Sequence, residues 1–148
     1  MSSYRQILYH IIFRTKNSGK TLILEHSDEL YAYIGGIVKN KGCHLYEING
    51  MQEHIHIILD LHPSIALADL MRDLKASSSM WLKQNPKFPD FTGWADGYGA
   101  FTYAYGDIGR VRKYVQNQRV HHKAKDFLEE YRRLLSEHHI TIDERYFP

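Results

Sequence analysis

Cysteine and long apolar runs are both scarce in this sequence. Its single cysteine, Cys43, excludes a disulfide within the chain and favours a reducing compartment. No stretch approaches the roughly 18 apolar residues that a membrane-spanning helix needs, and no signal peptide is recognisable. With 148 residues, 43% hydrophobic, the chain predicts one globular domain over residues 1–148.

Net charge is also small, at +2, so composition alone does not indicate nucleic-acid binding. The distribution is uneven, because six basic residues and two histidines lie between residues 110 and 125. A solvated helix face accounts for such a cluster as readily as a DNA-binding surface does. The sequence contains no glycine-rich phosphate loop, C-x-x-C pair or nucleophile elbow, which argues against those enzyme classes.

Hydrophobic periodicity predicts four strands and four helices. Alternating or continuous apolar runs indicate strands at residues 4–15, 43–49, 53–61 and 98–105. Apolar residues at three- and four-residue spacing indicate helices at residues 27–41, 63–81, 106–119 and 124–138.

The predicted order is β-α-β-β-α-β followed by further helices. This order predicts an α+β, ferredoxin-like (split βαβ) fold, an antiparallel sheet with helices on one face and extra C-terminal helices. Residues 124–148 form the C-terminal helix and tail in this interpretation. The second face of the sheet is then expected to be covered by a partner, a ligand or another chain.

The third predicted strand carries two histidines on one face. Ile55, Ile57 and Leu59 alternate with His54 and His56, so the imidazoles point together, roughly 6–7 Å apart. Two such rings can bind one metal ion. Ten histidines in the chain make an H-x-H pair by chance unsurprising, so further ligands are required.

The third predicted helix carries Tyr114 and Gln118 four residues apart, which makes them neighbours on one helix face. Gln118 continues the inward-facing stripe of Val111 and Val115. A buried tyrosine or a hydrogen-bonding glutamine explains each residue taken alone.

The H-x-H strand, followed sixty residues later by Y-x-x-x-Q amid basic residues, strongly resembles the IS200/IS605-family transposases. These Y1 tyrosine transposases belong to the HUH single-strand nucleases, in which U stands for a bulky apolar residue between two histidines. Ile55 would occupy the U position here. The resemblance covers nearly the whole chain. It extends to Gly97-Tyr98-Gly99-Ala100-Phe101 and to the run His121-His122-Lys123.

This resemblance implies a DNA transposase that cuts and rejoins single-stranded DNA at the hairpin ends of a mobile element. Tyr114 would be the nucleophile and would form a 5′-phosphotyrosine. His54, His56 and Gln118 would bind a divalent metal, Mg²⁺ or Mn²⁺. No residue is identified as the general base.

The resemblance also implies partners: single-stranded DNA with hairpins, and a second copy of the chain in a homodimer. Active sites shared between the two chains and active sites within one chain are both open. Action is expected in the cytoplasm of a prokaryotic cell, at the nucleoid, with no membrane association. Trp94 and Tyr98 are candidates for base stacking, although core packing explains them equally. The basic residues expected to contact DNA are Arg14, Lys16, Lys20, Arg110, Arg112, Lys113 and Arg119.

Three alternatives remain open at this stage. An RRM-like module would bind single-stranded nucleic acid on its sheet without metal or catalysis. A phosphodiesterase would use activated water in place of Tyr114. A domesticated relative would act on chromosomal palindromic repeats. The other histidines, His10, His62, His121 and His122, are expected at the surface or its boundary.

Overall fold

A four-stranded antiparallel sheet forms the centre of the protein. The computed structural model describes residues 3–121 and 126–147, except for the side chain of residue 121. The strand order is β2-β3-β1-β4, the ferredoxin-like arrangement that the sequence predicts. The strands are β1 (Leu8–Arg14), β2 (His44–Gly50), β3 (His54–Asp60) and β4 (Gly99–Thr102).

Five α-helices accompany the sheet among the residues that the structure describes. The predicted second helix starts later than expected, at Leu67, and the fourth strand is shorter than expected. Residues 124 and 125 of the predicted last helix lie outside the described residues, and that helix begins at Phe127 with Asp126 as its N-cap. The helices are α1 (Ser27–Asn40), α2 (Leu67–Lys83), α3 (Ile108–Gln116), α4 (Gln118–His121) and α5 (Phe127–Glu137).

The main core lies between one face of the sheet and the helices α1 and α2. Ile55, Ile57 and Leu59 point into it from β3, as their alternation predicts. Ile34 of α1 and Leu70 of α2 meet them there, and all five side chains are fully buried. This packing makes β3 a rigid central strand.

The opposite face of the sheet is covered by the chain's own C-terminal helices. Val111 and Val115 of α3 pack against Ile58 of β3, while Phe127 of α5 packs in a cluster with Ile12 of β1. The expectation that a partner, ligand or second chain covers this face is therefore wrong. The apolar stripes of α3 and α5 each need a surface to bury against, and this face provides it.

No helix among the described residues combines the length and the apolar character that a bilayer crossing requires.

Candidate active site

The two histidines of β3 lie on the covered face and are fully buried. Their ring centroids are 5.0 Å apart. The Nδ1 atom of His54 lies 2.7 Å from a carboxylate oxygen of Glu53, and that of His56 lies 2.7 Å from Nε2 of His10. Such contacts to one ring nitrogen fix the orientation of an imidazole, so the Nε2 atoms remain for a metal ion.

The position of His10 differs from the sequence-based expectation, because it is fully buried and not at the surface. It lies on β1, next to β3 in the sheet, where its ring stacks on that of His56 with centroids 5.0 Å apart. Burial, assisted by the nearby His56, lowers the pKa of His10 well below its usual range. A neutral imidazole at this position can orient His56 without adding a positive charge of its own.

Helix α3 places Tyr114 beside the histidines of its own chain. The rings of Tyr114 and His56 have centroids 5.9 Å apart and meet edge to face. Val111 and Val115, one turn apart on α3, anchor the helix to the sheet. Asn49 of β2 then holds the helix end, because its Nδ2 donates to the carbonyls of Val115 and Gln116. Tyr114 is thus fixed from both its helix and the adjoining strand.

Gly50 lies at the tight turn of the hairpin that joins β2 and β3. A Cβ atom at position 50 would collide with the carbonyl oxygen of His54, so the tight turn between β2 and β3 requires glycine. The Asn49-Gly50 pair thereby determines where β3 presents His54.

Gln118 and Glu130 complete the cluster. Oε1 of Gln118 lies 3.2 Å from Nε2 of His54, and Oε1 of Glu130 lies 2.9 Å from Nε2 of His56. Both side chains are fully buried. Gln118 is a ligand predicted from the sequence, whereas Glu130 was not predicted. The available signal was its spacing, since Glu130 lies three residues after Phe127 and four before Leu134, on the apolar stripe of α5.

The hydroxyl of Tyr114 lies within this polar cluster. It interacts with the side chains of Glu130 and Gln118. Burial, followed by the negative charge of Glu130, raises the pKa of Tyr114 above its usual range, while Gln118 and then Arg133 act in the opposite direction. The phenol is therefore protonated in this arrangement.

The donor set fits a divalent cation. The ligand atoms of His54, His56 and Glu130 all lie within 4.8 Å of one another. Atoms that share an ion at about 2.1 Å are roughly 3–4 Å apart, so small adjustments would suffice. Two imidazoles, a carboxylate and the amide oxygen of Gln118 would leave coordination positions open for phosphate oxygen or water.

The cluster is closed from solvent by α5. The ring of Phe127 stacks on that of His54, with centroids 4.1 Å apart and planes 14° apart. Tyr131, one turn along the helix, stacks on Phe127 with centroids 5.5 Å apart. These two rings form an aromatic wall over the histidines.

The basic residues predicted to contact DNA fall into two groups along the chain. Arg14, Lys16 and Lys20 lie in or just after the C-terminal end of β1, and both lysines are exposed. The remaining four, Arg110, Arg112, Lys113 and Arg119, lie on α3 and α4.

Not all residues of the second group are equally available to DNA. Arg110 lines a small cavity of about 140 Å³ together with Tyr114 and Arg133. Arg112 lies 3.5 Å from a carboxylate oxygen of Glu47, and Arg119 donates to the Ser27 hydroxyl at 2.7 Å. The first contact ties α3 to β2 and the second ties α4 to α1, so both side chains also have structural partners.

The two stacking candidates have different environments. Trp94 is packed, because its ring lies 4.8 Å from that of Phe13 and its Nε1 donates to the Ser78 hydroxyl. Tyr98 is 37% exposed and lines a cavity. Trp94 also lines a cavity, and Tyr98 is the more exposed ring of the pair.

Comparison with known proteins gives a consistent result. The family described as "Transposase IS200 like" matches residues 3–118. The ISDra2 transposase TnpA of Deinococcus radiodurans is 24% identical over 118 residues, which cover 76% of this chain and 84% of that protein.

Two solved structures share the fold. A putative transposase from Deinococcus radiodurans R1 is 25% identical, with a TM-score of 0.58, covering 80% of this chain and 98% of that chain. A REP-associated tyrosine transposase bound to a REP hairpin is 16% identical, with a TM-score of 0.61, covering 82% and 74% of the two chains.

Proposed function

Because this chain belongs to the IS200-like transposase family and is a single-strand DNA transposase, we propose that Tyr114 is its nucleophile. Tyr114 cuts single-stranded DNA at hairpin ends of a mobile element and holds one end as a 5′-phosphotyrosine, from which the strand is rejoined. His54, His56, Gln118 and Glu130 bind the divalent metal on which this cleavage depends.

One observation carries this proposal: the Tyr114 hydroxyl contacts Glu130 and Gln118, which in turn contact the two histidines. The nucleophile and four candidate ligands thus form one buried cluster from three separate parts of the chain. A structural tyrosine needs one hydrogen-bond partner, whereas this one adjoins Glu130, Gln118 and His56.

The chemical step is a transesterification at phosphorus. The Tyr114 oxygen forms a bond to the scissile phosphorus, and the bond from phosphorus to the 3′ oxygen of the preceding nucleotide breaks. Tyrosine loses its proton and the departing oxygen gains one, giving a 5′-phosphotyrosine and a free 3′-OH. The number of phosphate ester bonds is unchanged, so a later attack by a 3′-OH rejoins strands without an added energy source.

These ligands would hold a divalent cation, which would polarise the scissile phosphate and stabilise negative charge in the transition state. His10 and Glu53 orient the two imidazoles, and Glu130 brings the one carboxylate of the set. Imidazole ligands suit Mn²⁺ better than Mg²⁺, which prefers oxygen. We therefore expect activity with both ions and tighter binding of Mn²⁺.

The substrate class follows from the family and the charge distribution. The solved relative bound to a REP hairpin supports hairpin DNA as the partner here. The two groups of basic residues described above would contact phosphates along the strand. Because the substrate is DNA, we expect the protein to act in the cytoplasm of a prokaryotic cell, at the nucleoid.

The homodimer expected from the family stays a prediction. The site described above contains Tyr114 and the histidines of one chain, which supports action in cis. A dimer would then position two complete sites at the two ends of an element, without exchange of the tyrosine helix.

An RRM-like binding role is less well supported. RRM modules stack bases on an open sheet face, whereas α3 and α5 cover the corresponding face here. The water-activated phosphodiesterase differs from the proposal in one measurable respect, since it forms no covalent adduct.

The test incubates the full chain with labelled single-stranded hairpin DNA from the ends of its own element, with Mn²⁺ or EDTA. We expect an SDS-stable protein–DNA adduct that needs metal and is lost in Tyr114→Phe. Tyr105→Phe, which changes an exposed tyrosine three residues before α3, is the matched control and should keep the adduct. Cleavage that survives Tyr114→Phe would instead support the phosphodiesterase.

A further inference from the structure

A cavity of about 220 Å³ lies beside the candidate active site, at the C-terminal end of β1. This volume corresponds to roughly seven water molecules at about 30 Å³ each, enough for a flat ring system. Five aromatic rings and one arginine dominate its lining: Phe13, Tyr98, Phe127, Tyr131, Tyr146 and Arg14.

The cavity shares a wall with the metal cluster. Phe127 lines the cavity on one side and stacks on His54 on the other. Tyr131, stacked on Phe127, extends the same wall outward. A group in the cavity therefore lies one aromatic ring away from a proposed metal ligand, within reach of a nucleotide next to the scissile phosphate.

The loop that carries Tyr98 is held in place before any ligand binds. Lys75 donates hydrogen bonds to the carbonyls of Ala95 and Gly97, and its ammonium group lies 6.0 Å from the centre of the Tyr98 ring. Gly97 has φ +80°, a conformation that favours glycine, and this shapes the turn. The Tyr98 ring is thus a preorganised wall.

Arg14 gives the cavity a positive charge. Its guanidinium donates to the Thr15 carbonyl and the Ser18 hydroxyl, and no carboxylate of the described residues lies within ion-pair distance of it. Partial burial lowers the pKa of Arg14 from its usual value. A partly desolvated arginine with neutral partners is suited to bind phosphate, to which it can donate two hydrogen bonds at once.

Asp96 also lines the cavity and carries a negative charge. Its carboxylate disfavours a phosphate on that side but accepts hydrogen bonds from an exocyclic amino group of a base. A second cavity of about 350 Å³ shares Arg14, Asp96 and Tyr146 and adds Lys16. The pair of cavities therefore offers an aromatic compartment for a base and a basic one for the strand that follows.

We propose that the aromatic cavity binds one unpaired nucleobase of the single-stranded substrate, next to the scissile phosphate, with Arg14 on the adjoining phosphate. The base stacks on the tyrosine rings and directs one phosphate toward the metal cluster. This inference rests on the proposed function. It goes beyond it in assigning a base-binding subsite to residues outside the catalytic cluster.

The experiment measures binding of hairpin DNA by the full-length Tyr114→Phe protein with Mn²⁺, so that no cleavage occurs. A single abasic site is placed at each unpaired position beside the hairpin in turn. Tyr98→Ala is added as a second change, because this exposed ring can be removed without disturbing the core. Tyr105→Ala, an exposed tyrosine that does not line the cavity, is the matched control.

We expect Tyr98→Ala to weaken binding of intact DNA by roughly 5- to 150-fold, the range for loss of one stacked base. An abasic site at one DNA position should weaken binding by the Tyr114→Phe parent protein to a similar extent. The same abasic site should cause no further loss of binding when the protein also carries Tyr98→Ala. Tyr105→Ala should bind as the parent does.

Two outcomes would overturn the proposal: intact DNA binding unchanged by Tyr98→Ala, or losses that multiply at every abasic position. Either can occur while the adduct assay still succeeds, which would leave the proposed function standing. If Tyr98→Ala and an abasic site at one DNA position cause the same, non-additive loss of binding but no adduct forms, the result would support the base subsite. It would at the same time contradict the proposed tyrosine chemistry.

Discussion

Replacement of Glu130 by glutamine tests whether the buried cluster is a metal centre. An ion that binds only the folded chain stabilises it by about 2.7 kcal/mol when its free concentration is 100 times Kd. For a chain of this length each kcal/mol raises Tm by about 2–4 °C, so Mn²⁺ should raise the Tm of the parent protein by about 5–11 °C. Glu130 supplies the one carboxylate among the proposed metal ligands and is fully buried.

If Glu130→Gln weakens metal binding about 100-fold, the same Mn²⁺ concentration stabilises by only about 0.4 kcal/mol, and the shift falls to about 1–2 °C. The shift is measured for each variant by thermal unfolding with Mn²⁺ and with EDTA, so changes in metal-free stability cancel. Glu129→Gln changes an exposed carboxylate on the same helix and should keep the full shift. An undiminished shift in Glu130→Gln would refute the assignment of Glu130 as a ligand.

Three further changes test the geometry around this centre. Glu53→Gln should weaken Mn²⁺ binding by about 10- to 100-fold in a titration, because Glu53 orients His54; unchanged affinity would contradict that role. Asn49→Ala removes two hydrogen bonds to the end of α3, so we expect a loss of about 1–2 kcal/mol and a Tm about 2–8 °C lower, with slower adduct formation. A mixture of Tyr114→Phe and His54→Ala proteins should form no adduct if each chain acts in cis, whereas restored activity would show a site shared between chains.

The sequence was sufficient for the sheet and for the histidine pair. Strict alternation along β3 determines which residues face the core, because side chains in a strand point to opposite faces in turn. The order of elements then leaves few topologies, and the ferredoxin-like arrangement among them is confirmed. The spacing of Tyr114 and Gln118 likewise predicted their proximity.

Neither the sheet face on which α5 packs nor the residue that α5 adds to the candidate site could be predicted from periodicity and element order. Periodicity identifies the apolar stripe of that helix but not the sheet face on which it packs, since either face can bury a stripe. For the same reason Glu130 was missed, because a carboxylate within such a stripe has no visible partner until the helix is placed. His10 was misjudged because its neighbour His56 lies 46 residues later and becomes adjacent only when β1 and β3 pair.

The account depends on Tyr114 as the residue that carries the DNA, and peptide mapping of the adduct tests this directly. Trypsin cuts after Lys113 and Arg119, so the peptide spanning residues 114–119 contains Tyr114 alone among the tyrosines, while Tyr131 falls in the peptide spanning residues 126–132. After nuclease digestion of the bound strand, mass spectrometry should find a 5′-phosphonucleotide on the peptide that contains Tyr114. The same mass on the Tyr131 peptide, or on no tyrosine at all, would contradict the account.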